Sequence, residues 1–292
     1  MTIDIYRWRG RPTFVAVAML VFAMLAVCNT ARADEGNKWL DEYPKHVGFT
    51  WDADAFIHTN YLWRGIYVGG LCLQAEATVG YGGAFFNTWW NIGPTSWNFD
   101  ALCPEVDTSI GFARWGFKVL FMHMYYFDTY SDGTASRFFD FSDPKDGVGG
   151  VTTEFRIGYK VSSKLPLSIL WCTRFWGRDG YFDEKGERHR AYSTYIELGY
   201  DFRLPWELIL EARLGMTPWK SFYTGFKGDF AVVNIGLTLH RSWKLTDYCS
   251  LRAIGQLMLN PWHIDKDNVQ WHPKTPWDQR LNASVGVGVM FN

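Results

Sequence analysis

The sequence predicts an all-β fold: a transmembrane antiparallel up-and-down β-barrel of about 12 strands, preceded by a cleaved signal peptide. Three observations predict it. Apolar and polar residues alternate with period two in segment after segment. The connections between those segments alternate between short and long. Aromatic residues make up 18% of the chain, including 16 Trp, more than a core alone requires but suited to the two aromatic girdles of an outer-membrane barrel.

The first element is the leader. Arg7, Arg9 and Arg11 precede an apolar run from Phe14 to Val27, followed by Ala31-Arg32-Ala33. A basic start, a short apolar run and a small-x-small site define a secretory signal peptide cut after Ala33. The run is too short for a membrane helix of roughly 20 residues, and Val27 is too bulky for the place before a lipidated cysteine at Cys28. Residues 1–33 are therefore expected to leave, 34–48 to form a periplasmic N-terminal segment, and 49–292 to form the barrel. Cleavage takes four arginines and one aspartate from 29 basic and 30 acidic residues, leaving a formal charge of −4. That is no footprint for nucleic acid, which would call for a concentrated basic patch.

Strands follow in order. Weaker alternation starts near Phe49, Leu71, Ala84, Glu105 and Phe117. Val151 to Val161, Tyr192 to Arg203 and Trp206 to Met216 alternate cleanly, and further segments start near Pro166, Asp229, Tyr248 and Leu281. Short turns are expected at Gly82-Gly83, around Gly116, at Ser162 to Leu165, at Pro205 and near Lys244 to Asp247. Longer connections fall at Trp63 to Gly70, Gly93 to Pro104, Thr129 to Gly150, Gly177 to Arg190, Pro218 to Gly228 and Pro261 to Gln279. Short periplasmic turns with longer extracellular loops are the plan of outer-membrane barrels, and an even strand count leaves both termini in the periplasm. Strand length agrees. Trp51 with Tyr61, and Tyr192 with Phe202, share a face ten residues apart; at roughly 3.3 Å per residue and about 40° of tilt, such a strand rises ~25 Å, the height of the apolar band.

The last strand, "LNASVGVGVMFN", sets Leu281, Ala283, Val285, Val287, Val289 and Phe291 on one face and Asn282, Ser284, Gly286, Gly288 and Met290 on the other. The first face is expected to meet lipid, with Gly286 and Gly288 in a crowded lumen. As the closing strand it would carry the recognition signal for the barrel-assembly machinery, although Asn292 rather than an aromatic ends the chain. The expected partners are thus outer-membrane lipid, the assembly machinery and periplasmic chaperones.

Charged residues repeatedly fall on the face opposite the apolar one, where a soluble sandwich would keep them out. The expected lumen wall on strands six to nine carries Glu154, Arg156, Lys160, Arg174, Glu197, Asp201, Arg203, Glu207, Glu211 and Arg213. The strands near the C-terminus offer neutral groups together with His240 and Arg252. A hairpin centred on Lys164 would place Glu154 opposite Arg174 and Arg156 opposite Cys172; one centred on Pro205 would place Arg203 opposite Glu207 and Glu197 opposite Arg213. Facing opposite charges favours pairing.

A charged wall opposite a polar one suits a passive channel for small polar solutes in the bacterial outer membrane. The same charges could instead form a self-neutralising lattice that conducts nothing. Two other classes compete. A lipid hydrolase needs a nucleophile beside a base; His123 faces outward near the rim of strand five, but the neighbouring strands offer Thr153 and Thr108 rather than serine. A structural or surface barrel would carry longer loops than these. His58 and His240 point inward on separate strands, and the segment "NPWHIDKDNVQWHPKTPW", with His263 and His272, is expected to form an extracellular cap or gate. Cys72, Cys103, Cys172 and Cys249 lack the CxxC spacing of a zinc site. No metal and no cofactor is expected. A disulfide between Cys72 and Cys103 fits an oxidising compartment.

The stretch "HTNYLWRGIYVGG" followed by "LQAEATVGYGGAFFNTWW" resembles the opening hairpin of the TorF-like porins. In that group an aromatic-x-Arg-Gly segment closes the first strand and a small-residue turn precedes F-x-x-W. Here those places are Trp63-Arg64-Gly65 and Phe86 to Trp89. The resemblance implies an outer-membrane porin without a defined substrate. The aromatic C-terminal loop and Asn292 depart from it.

Overall fold

The structure, a computed structural model, describes residues 48–93, 105–127, 135–141, 150–162, 164–262 and 281–291. The signal peptide, most of the periplasmic segment, Cys103 with its disulfide, His263, His272 and Asn292 lie outside the described residues.

Twelve antiparallel strands close into one barrel. They are β1 Phe49–His58, β2 Cys72–Tyr81, β3 Ala84–Ile92, β4 Glu105–Arg114, β5 Phe117–Tyr126, β6 Val151–Lys160, β7 Leu167–Gly177, β8 Thr194–Leu204, β9 Leu208–Thr217, β10 Ala231–Thr246, β11 Cys249–Leu259 and β12 Leu281–Phe291. Each pairs with its neighbours in the chain, and β12 pairs with β1, Val287 lying opposite Ile57. Closure leaves no unpaired edge, so the backbone polar groups of the strands pair within the sheet except at a few bulges.

Short turns bind the strands at one end. Gly82 and Gly83 both adopt positive φ, as do Trp115 and Gly116, which is what a two-residue type I′ hairpin demands. The other end carries the longer connections. Two of these fold into small hairpins, Tyr61–Trp63 with Ile66–Gly69 and Gly180–Phe182 with Arg188–Arg190.

Alternation sorts the side chains. Along β12, Leu281, Val285 and Val287 are exposed, and Asn282, Ser284, Gly286, Gly288 and Met290 between them are buried. The same outward apolar face continues through Ile57, Leu73, Ile110, Phe121, Ile157, Ile169, Leu198, Leu214, Ile235 and Leu257, all exposed. Exposed aromatics gather at the strand ends: Phe49, Tyr81, Trp115, Phe117, Trp206 and Tyr248 by the short turns, Phe127, Trp176, Tyr192, Trp219 and Phe230 by the long connections. Gly286 and Gly288 are fixed by crowding, because a Cβ on Gly286 would collide with the His58 ring and one on Gly288 with Phe56.

Four expectations are corrected in detail. Tyr61 does not end the first strand; it starts the small hairpin and is buried, so it is no girdle partner of Trp51. Tyr192 lies before β8 in the left-handed region. The hairpin between β8 and β9 is centred on Trp206 rather than Pro205: Leu204 faces Leu208, with Trp206 and Glu207 both at positive φ in the turn. Arg213 therefore sits opposite Gly199, and Glu197 opposite Gly215. A shift of two residues preserves the inward face, so the alternation is satisfied either way. By contrast, β6 and β7 take the expected register, Glu154 opposite Arg174 and Arg156 opposite Cys172, with the register shifting beyond it between Glu154 and Thr153.

Candidate functional site

The hairpin 61–69 is the structural element that the alternation did not reveal. It folds across the barrel instead of extending β1. At one end the Tyr61 hydroxyl donates to the Glu105 carboxylate at 3.1 Å, and its ring packs on Trp89. At the other end Gly65 lies so close to the Val233 carbonyl of β10 that a side chain there would overlap it. Arg64 and Gly65 form the tip, both at positive φ.

Arg64 fills the middle of the barrel's upper half. Its guanidinium donates to both oxygens of Glu154, at 2.8 and 2.9 Å, to the Tyr223 hydroxyl at 2.5 Å and to Cys172 Sγ at 2.9 Å. Its Cζ lies over the rings of Trp63 and Tyr195, 4.7 and 4.8 Å from their centroids. Arg156 Nε donates to the same Glu154 carboxylate. Arg174 does not pair with Glu154 directly; its guanidinium lies over Phe222, 4.2 Å from the centroid. Tyr223 comes from the short 3-10 turn Phe222–Thr224 in the connection between β9 and β10, which packs with Ile66, Cys172, Tyr195 and Val233 in one buried apolar cluster. Burying a guanidinium and a carboxylate demands this complete set of partners.

A second polar network lies toward the short turns. Lys160 Nζ donates to Asp201 at 2.6 Å. Arg213 reaches Asp201 at 2.7 Å, Glu211 at 3.0 Å and Glu197 at 3.7 Å. His240 Nε2 lies 3.2 Å from Glu211, and Arg252 Nε donates to Ser242 at 2.8 Å. Of the twelve residues the alternation singled out, Arg203 and Glu207 stand apart: both are exposed at the β8–β9 turn, where Glu207 is 79% exposed and 3.6 Å from Arg241. The other ten are buried or half-buried on inward positions.

Strands β1 to β4 contribute a set of carboxylates that cross-strand pairing of opposite charges does not reveal. Asp52, Asp54, Glu76, Glu105 and Asp107 all lie at inward positions, Asp54 directly opposite Glu76. Asn87 donates to Glu76 at 2.6 Å and to Thr78 at 3.0 Å. Parity alone would have found these carboxylates; a rule that seeks opposite charges across strands finds only walls carrying both signs. Arg64 had a signal as well. Gly65 between the apolar trios "YLW" and "IYV", with Asn60 before and Gly69-Gly70 after, reads as a tight hairpin.

His123 points outward, as expected. Its Nε2 is 2.8 Å from the carbonyl oxygen of Phe138, and its cross-strand neighbours are Thr108 and Thr153. The segment 135–141 wraps the outside of the wall here: the Tyr125 hydroxyl donates to the Ser136 carbonyl at 2.8 Å, and Trp176 Nε1 donates to the Phe141 carbonyl. Among the described residues, the hydrogen bond this histidine makes is to a loop carbonyl and not to a hydroxyl nucleophile.

Among the described residues, one cluster has metal-ligand spacing: Asp183, Glu187 and His189 on the hairpin 180–190. All are at the surface, and Asp183 Oδ1 already accepts the Lys185 and Glu187 amides.

No protein-family model matches the sequence, and no curated protein sequence matches it. No family is therefore assigned, and the TorF-like resemblance rests on the residues that carry it. Solved structures similar in shape include the NanC porin (TM-score 0.44, 10% identity, covering 83% of this chain and 100% of that one). The KdgM porin follows (0.41, 9%, 82% and 98%), as does the P. putida toluene transporter TodX (0.37, 10%, 90% and 95%). At such scores the likeness is of one antiparallel barrel to another, and no transport property passes from those proteins to this chain.

Proposed function

We propose that this chain is a bacterial outer-membrane barrel, with both termini in the periplasm, and a passive channel for small polar solutes. The observation that carries the reading is the inversion of polarity across the wall. Large apolar side chains face outward all round the barrel, with aromatics at both rims, while ionisable groups concentrate inside. Water outside would oppose that arrangement and a bilayer would favour it.

Within the barrel, five carboxylates on β1 to β4 face a mixed wall on β6 to β9 that holds most of the arginines. Such a two-sided interior suits hydrated polar solutes. Hairpin 61–69 closes its upper half at rest, held by Arg64. The buried apolar cluster around Ile66 and Tyr223 favours a second reading, a structural barrel that never opens.

Solute flux into liposomes separates the two. Proteoliposomes of the mature protein should admit small sugars and amino acids, and Arg174→Ala or Glu197→Ala should change the relative rates for anions and cations. Folded protein that admits neither would support the structural reading. Lipid or ester turnover abolished by His123→Ala would overturn both in favour of a hydrolase.

A further inference from the structure

The surroundings of Arg64 are built as a receptor. Four of its walls belong to the barrel and its connections rather than to the hairpin that delivers the arginine: Glu154 on β6, Cys172 on β7, Tyr195 on β8 and Tyr223 on the 3-10 turn. Trp63 alone arrives with the hairpin. Each feature answers one property of a guanidinium. The carboxylate takes two N–H groups through both its oxygens, the phenol takes a further contact, and two rings lie beneath the guanidinium carbon. An ammonium would use the charge but neither the fork nor the plane.

Glu154 does not depend on Arg64 for its position, because Arg156 Nε also holds it. The Tyr195 hydroxyl is fixed by donating to Glu197 at 2.5 Å and accepting from Asn234 at 3.0 Å. The receptor therefore survives the hairpin's departure. The hairpin is also held by Tyr61 on Glu105, by Gly65 against Val233 and by Ile66 in the apolar cluster, but its tip needs two residues at positive φ, one of them the non-glycine Arg64, a conformation that the side chain's contacts sustain.

We infer that the chamber formed by Glu154, Cys172, Tyr195 and Tyr223 is a binding site for small solutes bearing a guanidinium group, and that Arg64 occupies it as a resident stand-in. A solute competes with the arginine of the strap and takes its place when the hairpin swings out. The assignment of a transported class rests on the channel proposed above; the binding does not. The carboxylates on β1 to β4 leave a solute cation an acidic approach to the chamber from the opposite wall.

The test uses the full mature chain with Arg64→Ala, probed with methylguanidinium. In detergent, methylguanidinium should raise the melting temperature of Arg64→Ala above that in equal sodium chloride, and leave wild type unraised because its chamber is filled. Ethylammonium should bind at least about tenfold more weakly, having no planar fork. Adding Glu154→Gln should abolish the rise. If Arg64→Ala does not refold in sodium chloride, methylguanidinium should restore refolding. No rise, no rescue, or an equal response in wild type overturns the site.

In bilayers, Arg64→Ala should conduct, and millimolar arginine should block it where glutamate does not. Conduction indifferent to arginine, together with no melting rise, removes the site and leaves the channel standing. A melting rise in a barrel that never conducts keeps the site and removes the channel, and with it the transported class.

Discussion

Arg64 and Glu154, 90 residues apart in the chain, meet through two hydrogen bonds of 2.8 and 2.9 Å inside the barrel, where Glu154 is wholly buried. One end of this pair is on a loop and the other on the wall. It ties the hairpin to the wall, and in the channel proposed above its strength would set how firmly the hairpin closes the barrel. Removing one partner of a buried pair leaves the other charge without compensation, a cost of about 3–5 kcal/mol. Glu154→Gln should accordingly lower the unfolding midpoint and make hairpin 61–69 accessible to protease while the strands stay intact. An unchanged midpoint would mean that Arg64 is held by its rings and by Tyr223 alone.

Crowding at the closing seam gives a second expectation. A side chain at Gly286 has no room beside His58. Gly286→Val should destabilise the barrel by about 1–3 kcal/mol through overpacking. Val287→Leu, one residue on but facing outward, should be nearly silent. Urea unfolding of both variants in lipid vesicles checks the contrast.

That same outward position measures the surrounding solvent. Val287 is exposed near the middle of β12, so Val287→Arg should cost about 2–4 kcal/mol if hydrocarbon lies there. A change within about 0.5 kcal/mol, the usual effect of a surface substitution in water, would remove the membrane from the account.

Asp179 supplies a pH dependence. It follows β7 outside the wall, is fully buried, accepts the Ser193 amide at 2.9 Å and leaves Oδ1 without a hydrogen-bond partner. Burial pushes its carboxyl up from an ordinary value near 3.8 to about 6, against the pull of Arg174 and Ser193. The folded loop thus holds the proton more tightly than the unfolded chain. Its stabilising contribution is complete below the ordinary value, declines as pH rises toward about 6 and is absent above. Protection factors of the Ala191 and Ser193 amides should fall across that window, and Asp179→Asn should flatten the change.

The wall was legible in the sequence because its determinants are local and repetitive. Period two, five short turns and a regular order of long connections place twelve strands within a few residues, and Lys164 centres one hairpin correctly. Pro205 misleads by two residues, since nothing in the sequence says that Trp206 and Glu207 both adopt left-handed backbone. The interior was less legible. Inward charges follow from parity, but their partners depend on which strands face each other across the barrel and on a loop that folds back. Arg64 reaches Glu154, Tyr223 and Cys172 across gaps of 90, 159 and 108 residues, and strand periodicity carries no information about such contacts. The acidic wall of β1 to β4 shows the other limit: it is visible position by position, but charges of a single sign form no cross-strand ion pairs that would mark them.

Single-channel conductance in a planar bilayer tests the central claim most directly, comparing wild type with a variant in which residues 61–69 are replaced by a short glycine-serine turn. The account predicts rare or small openings for wild type and sustained, larger openings once the hairpin and its Arg64 are gone, with Arg174→Ala or Glu197→Ala altering ion selectivity in the open form. Two silent bilayers, with both barrels folded, would contradict it.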